Sequence, residues 1–427
     1  MDHRSQETYK RDRAILRQLG ERKAEIAELS AQERTKSRWK RLNQLEGVRP
    51  LVWINEIPWE EMEVGGELEL QVEDPFLRGV EEDLRRTIYK WKHMPADMVV
   101  EGKVHFPLAI EDSGFGISEE SEMAPLEAGA DGGTSGTHIR SRGFRPQIES
   151  EEDLEKIEIP CLTHDRRESR RRRKSLQKIF EGILEVEGRG TGTLWFAPWD
   201  QLVTWWGVEE ALKDLIARPE LVHRGMERLI NAHLARLDQL EEEGLLTANA
   251  GNVRVGSGGL GYTDELSESG TGLRPGSLWG CATAQIFVDV SPEMHREFAL
   301  RHELRWLKEF GLTYYGCCEP LHNKIDILKE VSNLRKISIS PWADLKEGAK
   351  KIERDYVLSY KPSPAVLAED EWKPSRARDG LREVLEEVRG RGCNVEIIMK
   401  DISTVRGKPH RLWEWAELAL AEAERVG

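Results

Sequence analysis

The densest chemistry in the chain lies in the run Thr313-Tyr-Tyr-Gly-Cys-Cys-Glu-Pro-Leu-His322. Cys317 and Cys318 offer thiolates, strong ligands for zinc, and Glu319 and His322 add a carboxylate and an imidazole close by. This set predicts a zinc-type metal site. Adjacent side chains of an extended segment point to opposite faces, so the alternative is one buried cysteine in a wall beside one reactive cysteine. Glu56, Lys400 and Asp401 form a second group, with Lys361 beside them, each just past a short apolar run. Glu56 or Asp401 can give or take a proton, while Lys400 or Lys361 can stabilise developing negative charge.

Fourteen tryptophans is a high count, and Trp195, Trp199 and Trp342 fall where strands are predicted to end. Aromatic walls suit flat or apolar small molecules, with Asn55 and Asn249 as the polar groups that fix orientation. Trp205 and Trp206 are read as helix packing, and so are His295 and His302. Gly256-Ser-Gly-Gly-Leu-Gly261 spells a dinucleotide fingerprint, but no helix begins within the glycines. It is read instead as a mobile substrate loop.

The elements that must position these groups follow from periodicity. Residues 7–45 carry helical spacing in two segments, predicting an N-terminal helical extension over 1–49. Strands are predicted at 50–58, 97–104, 192–198, 245–249, 312–316, 336–340, 356–360 and 395–399. Helices are predicted at 75–91, from Ser150, and over 168–186, 208–217, 219–243, 291–310, 322–331, 343–353, 377–391 and 410–425. Such alternation implies a parallel sheet with crossover helices, and the count favours a (β/α)8 TIM barrel over 50–427. In that fold the residues after each strand meet on one face. A Gly-rich, acidic insertion is predicted near 113–138.

The bulk properties narrow the partners. A formal net charge of -14 argues against a nucleic-acid binder, because phosphate contacts need a basic face. The basic run Arg166–Lys174 is read as a solvated helix start, with an acidic protein partner as the alternative. No stretch approaches ~18 consecutive apolar residues, and the N-terminus lacks the apolar core of a signal peptide. Five cysteines, irregularly spaced, do not make a secreted disulfide framework. The expected location is the cytoplasm, with reduced thiols. A small-molecule substrate is the expected partner, and homodimer formation is a further expectation.

From Pro50 onward the order of signals resembles the uroporphyrinogen decarboxylase superfamily, which includes corrinoid-dependent methyltransferases. The likeness is carried by Pro50-Leu-Val-Trp-Ile54, by Trp195-Phe-Ala-Pro-Trp199 with the later run Leu212–Leu221, by Tyr315-Gly-Cys-Cys-Glu319, and by Ile337–Leu345. The resemblance implies a TIM barrel and one of two activities. The first is methyl transfer from a small methoxylated or methylamine-like substrate to a corrinoid on a separate partner protein, with zinc as Lewis acid. The second is metal-free decarboxylation or lysis of a small carboxylated substrate. The decarboxylases place arginines after the first strand, where this chain has Ile54-Asn-Glu-Ile-Pro-Trp59. The methyltransferases bind zinc through His-x-Cys and a later cysteine, whereas here Tyr315 or Gly316 takes the histidine place and the last strand ends at Met399-Lys-Asp401.

Overall fold

The computed structural model describes residues 3–123, 142–267, 270 and 272–427. Much of the predicted 113–138 insertion lies outside the described residues. Its flanks, Ser121–Met123 and Arg142–Phe144, pair antiparallel.

The centre is a seven-stranded sheet, parallel throughout. We number its strands β1 (Leu51–Ile54), β2 (Trp195–Phe196), β3 (Trp279–Ala282), β4 (Leu312–Tyr315), β5 (Leu334–Ile339), β6 (Val357–Tyr360) and β7 (Asn394–Met399). Their spatial order is β1-β7-β6-β5-β4-β3-β2. Strands β4 to β7 stand beside their sequence neighbours and are separated by helical crossovers, as parallel pairing demands. The strands are short and apolar because helices cover their outer face.

The predicted eight-stranded ring is not completed by strand pairing among the described residues. Residues 97–101 lie along the free edge of β1 but bond to it through Asp97 alone. Its N–H donates to Val52 O at 2.9 Å, and its carboxylate accepts from Val52 N–H at 2.8 Å. Asn252 then donates to Val99 O at 3.0 Å. Asn249 donates to Gly192 O and Trp279 O and accepts from Trp279 N–H, which ties the other edge. Side chains therefore bridge where an eighth ladder was expected. The predicted strand 97–104 is shifted to Lys103–Pro107, which pairs with Glu185–Arg189 in a separate two-stranded sheet. The predicted strand 245–249 reduces to a single bridge between Leu246 and Thr191.

The Gly256–Gly261 segment is not a mobile loop. It is buried inside the sheet's curvature, where its glycines let the backbone approach the inward-facing side chains. A Cβ on Gly256 would lie 2.5 Å from the Tyr314 ring, and one on Gly258 2.3 Å from Glu396. Gly259 N–H donates to Glu396 at 3.2 Å, and Glu396 also pairs with Lys336 at 2.8 Å, both side chains fully buried. Beneath this plug sits Trp39, from the second of the N-terminal helices, His3–Ala27 and Ser30–Asn43. Its indole N–H donates to Asp97 O at 2.8 Å.

Several helices are shorter than their periodicity predicts. The segment after Ser150 makes only a 3-10 turn, Glu152–Lys156, and 322–331 yields only Ile325–Leu328. The basic run forms the helix Arg166–Phe180, where Glu168 accepts from both Arg171 and Arg172. Among the described residues no helix is long and apolar enough to cross a membrane.

Candidate active site

The C-terminal ends of β1, β4 and β7 bring five predicted residues together: Glu56, Cys317, Cys318, Lys400 and Asp401. After Tyr315 the chain turns at Gly316, whose φ of +97° is open to glycine and strained for other residues. A Cβ there would stand 2.4 Å from Leu321 and 2.9 Å from Ser338. The turn presents Cys317 and Cys318 with their sulfurs 3.5 Å apart. Lys400, delivered by the end of β7, places Nζ 3.8 Å from each sulfur. The same Nζ lies 2.5 Å from Asp401 Oδ2 and 3.5 Å from Glu56 Oε2. Asp401 Oδ2 lies 3.7 Å from the Cys318 sulfur, an alternative acceptor to Cys317 for its single S–H. Glu56 also takes a hydrogen bond from Asp401 N–H at 3.2 Å and one from Arg254 at 2.8 Å. Arg254 carried no motif that would have singled it out.

Glu56 and Asp401 both hold left-handed backbone, with φ of +49° and +55°. Such a conformation costs a non-glycine residue about 1–2 kcal/mol. The surrounding hydrogen bonds hold two neighbouring strand ends in it. Stored strain of this kind is found at functional sites.

The electrostatics follow from the geometry. The hydrogen bond from Cys318 lowers the Cys317 thiol; burial opposes this, and the charges of Lys400 and Lys361 add to the lowering. Cys318, as the donor of that bond, is pushed up, with burial reinforcing the effect. Burial would lower Lys400, but attraction to Cys317 and the bond to Asp401 more than reverse this, and its pKa is raised. Burial pushes Asp401 up, while its hydrogen bonds to Glu56 and Lys400 hold it below the usual carboxylate range. Of the two thiols, Cys317 is the one whose charged form the surroundings favour, and it faces the Lys400 ammonium. Lys361 sits behind, donating to Tyr314 Oη at 2.6 Å, and desolvation brings it down to about 8.

The remaining predicted residues stand elsewhere. Glu319 is fully buried as the anchor of the turn. One oxygen accepts from Thr283 Oγ1 at 2.7 Å and Ala284 N–H at 3.3 Å, the other from Cys317 N–H at 2.9 Å. His322 lies beside Gly348 on the helix Leu345–Ile352 and acts on Asp344 at its N-cap. Trp199 is buried in the helix layer, where its indole donates to Phe298 O at 3.0 Å. Trp195 is half-buried on β2, Trp342 is 77% exposed after β5, and Asn249 spends its amide on the backbone bonds described above. Asn55 follows β1, its N–H donating to Met399 O at 2.9 Å, and its side-chain amide nitrogen is buried without a partner.

The zinc site that the cysteine pair suggested does not fit these residues. Among the described residues no group of three or more His, Cys, Asp or Glu side chains is arranged to hold a metal ion. The reason is local: a cation bound by Cys317, Cys318 and Asp401 would need the place that the Lys400 ammonium takes. Glu319 has no oxygen to spare, and His322 is turned toward another helix.

No protein family model and no curated protein matches the sequence. Among solved structures the chain is similar to a methyltransferase from Methanosarcina mazei, with a TM-score of 0.50 at 13% identity, the match covering 92% of this chain and 98% of that one. At that identity the likeness is one of fold, and it agrees with a barrel-like α/β architecture.

Proposed function

We propose that the chain is a methyltransferase of the corrinoid-dependent branch of the uroporphyrinogen decarboxylase superfamily, acting at the mouth formed by β1, β4 and β7. It takes a methyl group from a small methoxylated or methylamine-like substrate and passes it to a corrinoid on a partner protein. The carrying observation is the Cys317–Lys400 pair, flanked by Cys318, Asp401 and Glu56, at the strand ends of a fold shared with a protein named a methyltransferase.

When the methyl group leaves, the oxygen or nitrogen it was bonded to must collect a proton. Lys400 holds one at Nζ, 3.8 Å from the sulfur of Cys317, and is kept in place by Asp401 and Glu56. The corrinoid supplies the nucleophile that accepts the methyl carbon. No step is drawn through zinc, because the residues that would hold it are organised around Lys400.

A second reading is a metal-free decarboxylase or lyase. It is favoured by the two buried lysines, Lys361 and Lys400, whose charges both reach Cys317 and could hold a carboxylate. One experiment separates the two. The protein is incubated with free reduced cobalamin and a panel of aryl methyl ethers and methylamines, and methylcobalamin formation is followed by absorbance. Turnover that is lost in Lys400→Met supports the first reading. Carbon dioxide release from a carboxylated substrate in the absence of cobalamin refutes it in favour of the second.

A further inference from the structure

We propose that the cavity between the N-terminal helix and the free edge of β1 is a binding site for a small organic oxyanion, a carboxylate or a phosphate ester. It has a volume of about 310 Å³ and shares no lining residue with the Cys317–Lys400 cluster. The proposal therefore stands apart from the methyl-transfer reading.

Four cationic side chains from three elements converge on it. Lys23 comes from the helix His3–Ala27, Arg86 and Lys90 from the helix Pro75–His93, and Arg189 from the strand Glu185–Arg189. The acids that line it are Asp83 and Glu101, and Glu101 already accepts from Tyr262 at 2.8 Å. Arg86 is satisfied by Glu82 at 2.6 Å. The other cations are not satisfied in this way. Lys23 is 5% exposed and, among the described residues, makes no hydrogen bond or ion pair within 4.0 Å, while Asp83 and Glu101 reach it only through space. Arg189 has a buried Nε with no partner, and so does the indole nitrogen of Trp53. Lys90 donates one bond, to Ile54 O at 2.9 Å, and lies 4.2 Å from the centre of the Trp53 ring.

Asp83 and Glu101 act on Lys23 and Arg189 through space without forming an ion pair with either, and burying cations without a directly bonded anion is costly, a cost that a bound anion removes. Desolvation lowers Lys23 and Arg189 against the opposing pull of Asp83 and Glu101, and brings Lys90 down to about 8. Trp53 and Trp59 supply apolar wall, which suits a ligand with a flat or aliphatic body behind its charged group.

The test is a titration of the full chain with benzoate, phenyl phosphate and inorganic phosphate at matched ionic strength, read by tryptophan fluorescence and melting temperature. Saturable binding of an organic anion is expected, with the preferred one identifying carboxylate or phosphate. Lys23→Met should melt no lower than the parent without ligand, since it removes a buried charge that has no ion pair, and should bind about tenfold more weakly or worse. Arg189→Met provides the same reading from the opposite wall. Absence of saturable binding at millimolar concentration, or unchanged affinity in both variants, overturns the site.

Discussion

Replacing Lys400 by methionine should raise the pKa of Cys317, because the ammonium 3.8 Å from the sulfur stabilises the thiolate. Two unit charges at that distance interact by about 4 kcal/mol at an effective dielectric of ~20 and about 1 kcal/mol at ~80. Since about 1.4 kcal/mol corresponds to one pH unit, those limits bracket a rise of roughly one to three. The site is buried, with Lys400 4% and Cys317 7% exposed, which favours the upper end. Asp401 at 2.5 Å and Glu56 at 3.5 Å already neutralise part of the lysine charge, which favours the lower. The expected rise is about one to two pH units, or a ten- to hundredfold loss of thiolate below the wild-type pKa. Ultraviolet absorbance of the thiolate, titrated against pH in a Cys161→Ser background, measures it directly. Cys281 and Cys393 do not interfere, since burial pushes them up to about 12 and about 11. Lys400→Arg should restore most of the wild-type titration. A folded Lys400→Met protein whose first thiol titrates at the wild-type pH would refute the argument. The sign also carries to stability. A thiol whose folded pKa is depressed contributes stability above its unfolded value, and loses that contribution as pH falls through the folded one.

Two further predictions concern the scaffold. Gly316→Ala should cost about 2–4 kcal/mol in urea unfolding, since left-handed backbone and overpacking add; the new Cβ would meet Leu321 at 2.4 Å, and an unchanged midpoint would show that the turn relaxes freely. Glu396→Ala should cost about 3–5 kcal/mol by stranding the buried Lys336 ammonium, whereas the double variant Lys336→Met/Glu396→Leu should regain most of it. If the double variant is no more stable than the single one, the loss comes from the Gly259 contact rather than the charge.

Strands β4 to β7 and the helices after β5 and β6 are legible because each is a local pattern: a short apolar run, a turn signal, then helical spacing. Strand β3 was missed. It has only four residues and contains Gly280, a strand-weakening residue that is present because a Cβ would meet Phe310 at 2.2 Å. That reason lies some thirty positions away in the chain and has no local trace. The Gly256–Gly261 run was misread for the same cause, since glycines that make a loop mobile and glycines that let backbone pack against a ring have one spelling.

For the site, the residue types were readable and their grouping was not. Sequence alone determined that thiols, a carboxylate and a lysine stand at strand ends, because strand period and parallel order send those ends to one face. It could not determine that Lys400 would come within 3.8 Å of both Cys317 and Cys318, more than eighty positions earlier in the chain. It gave no sign that Lys23 would be carried beneath β1 without an ion pair. Those outcomes depend on the curvature of the sheet and the docking of the N-terminal helix. Both are set by long-range packing, in which distance along the chain carries no information about distance in space.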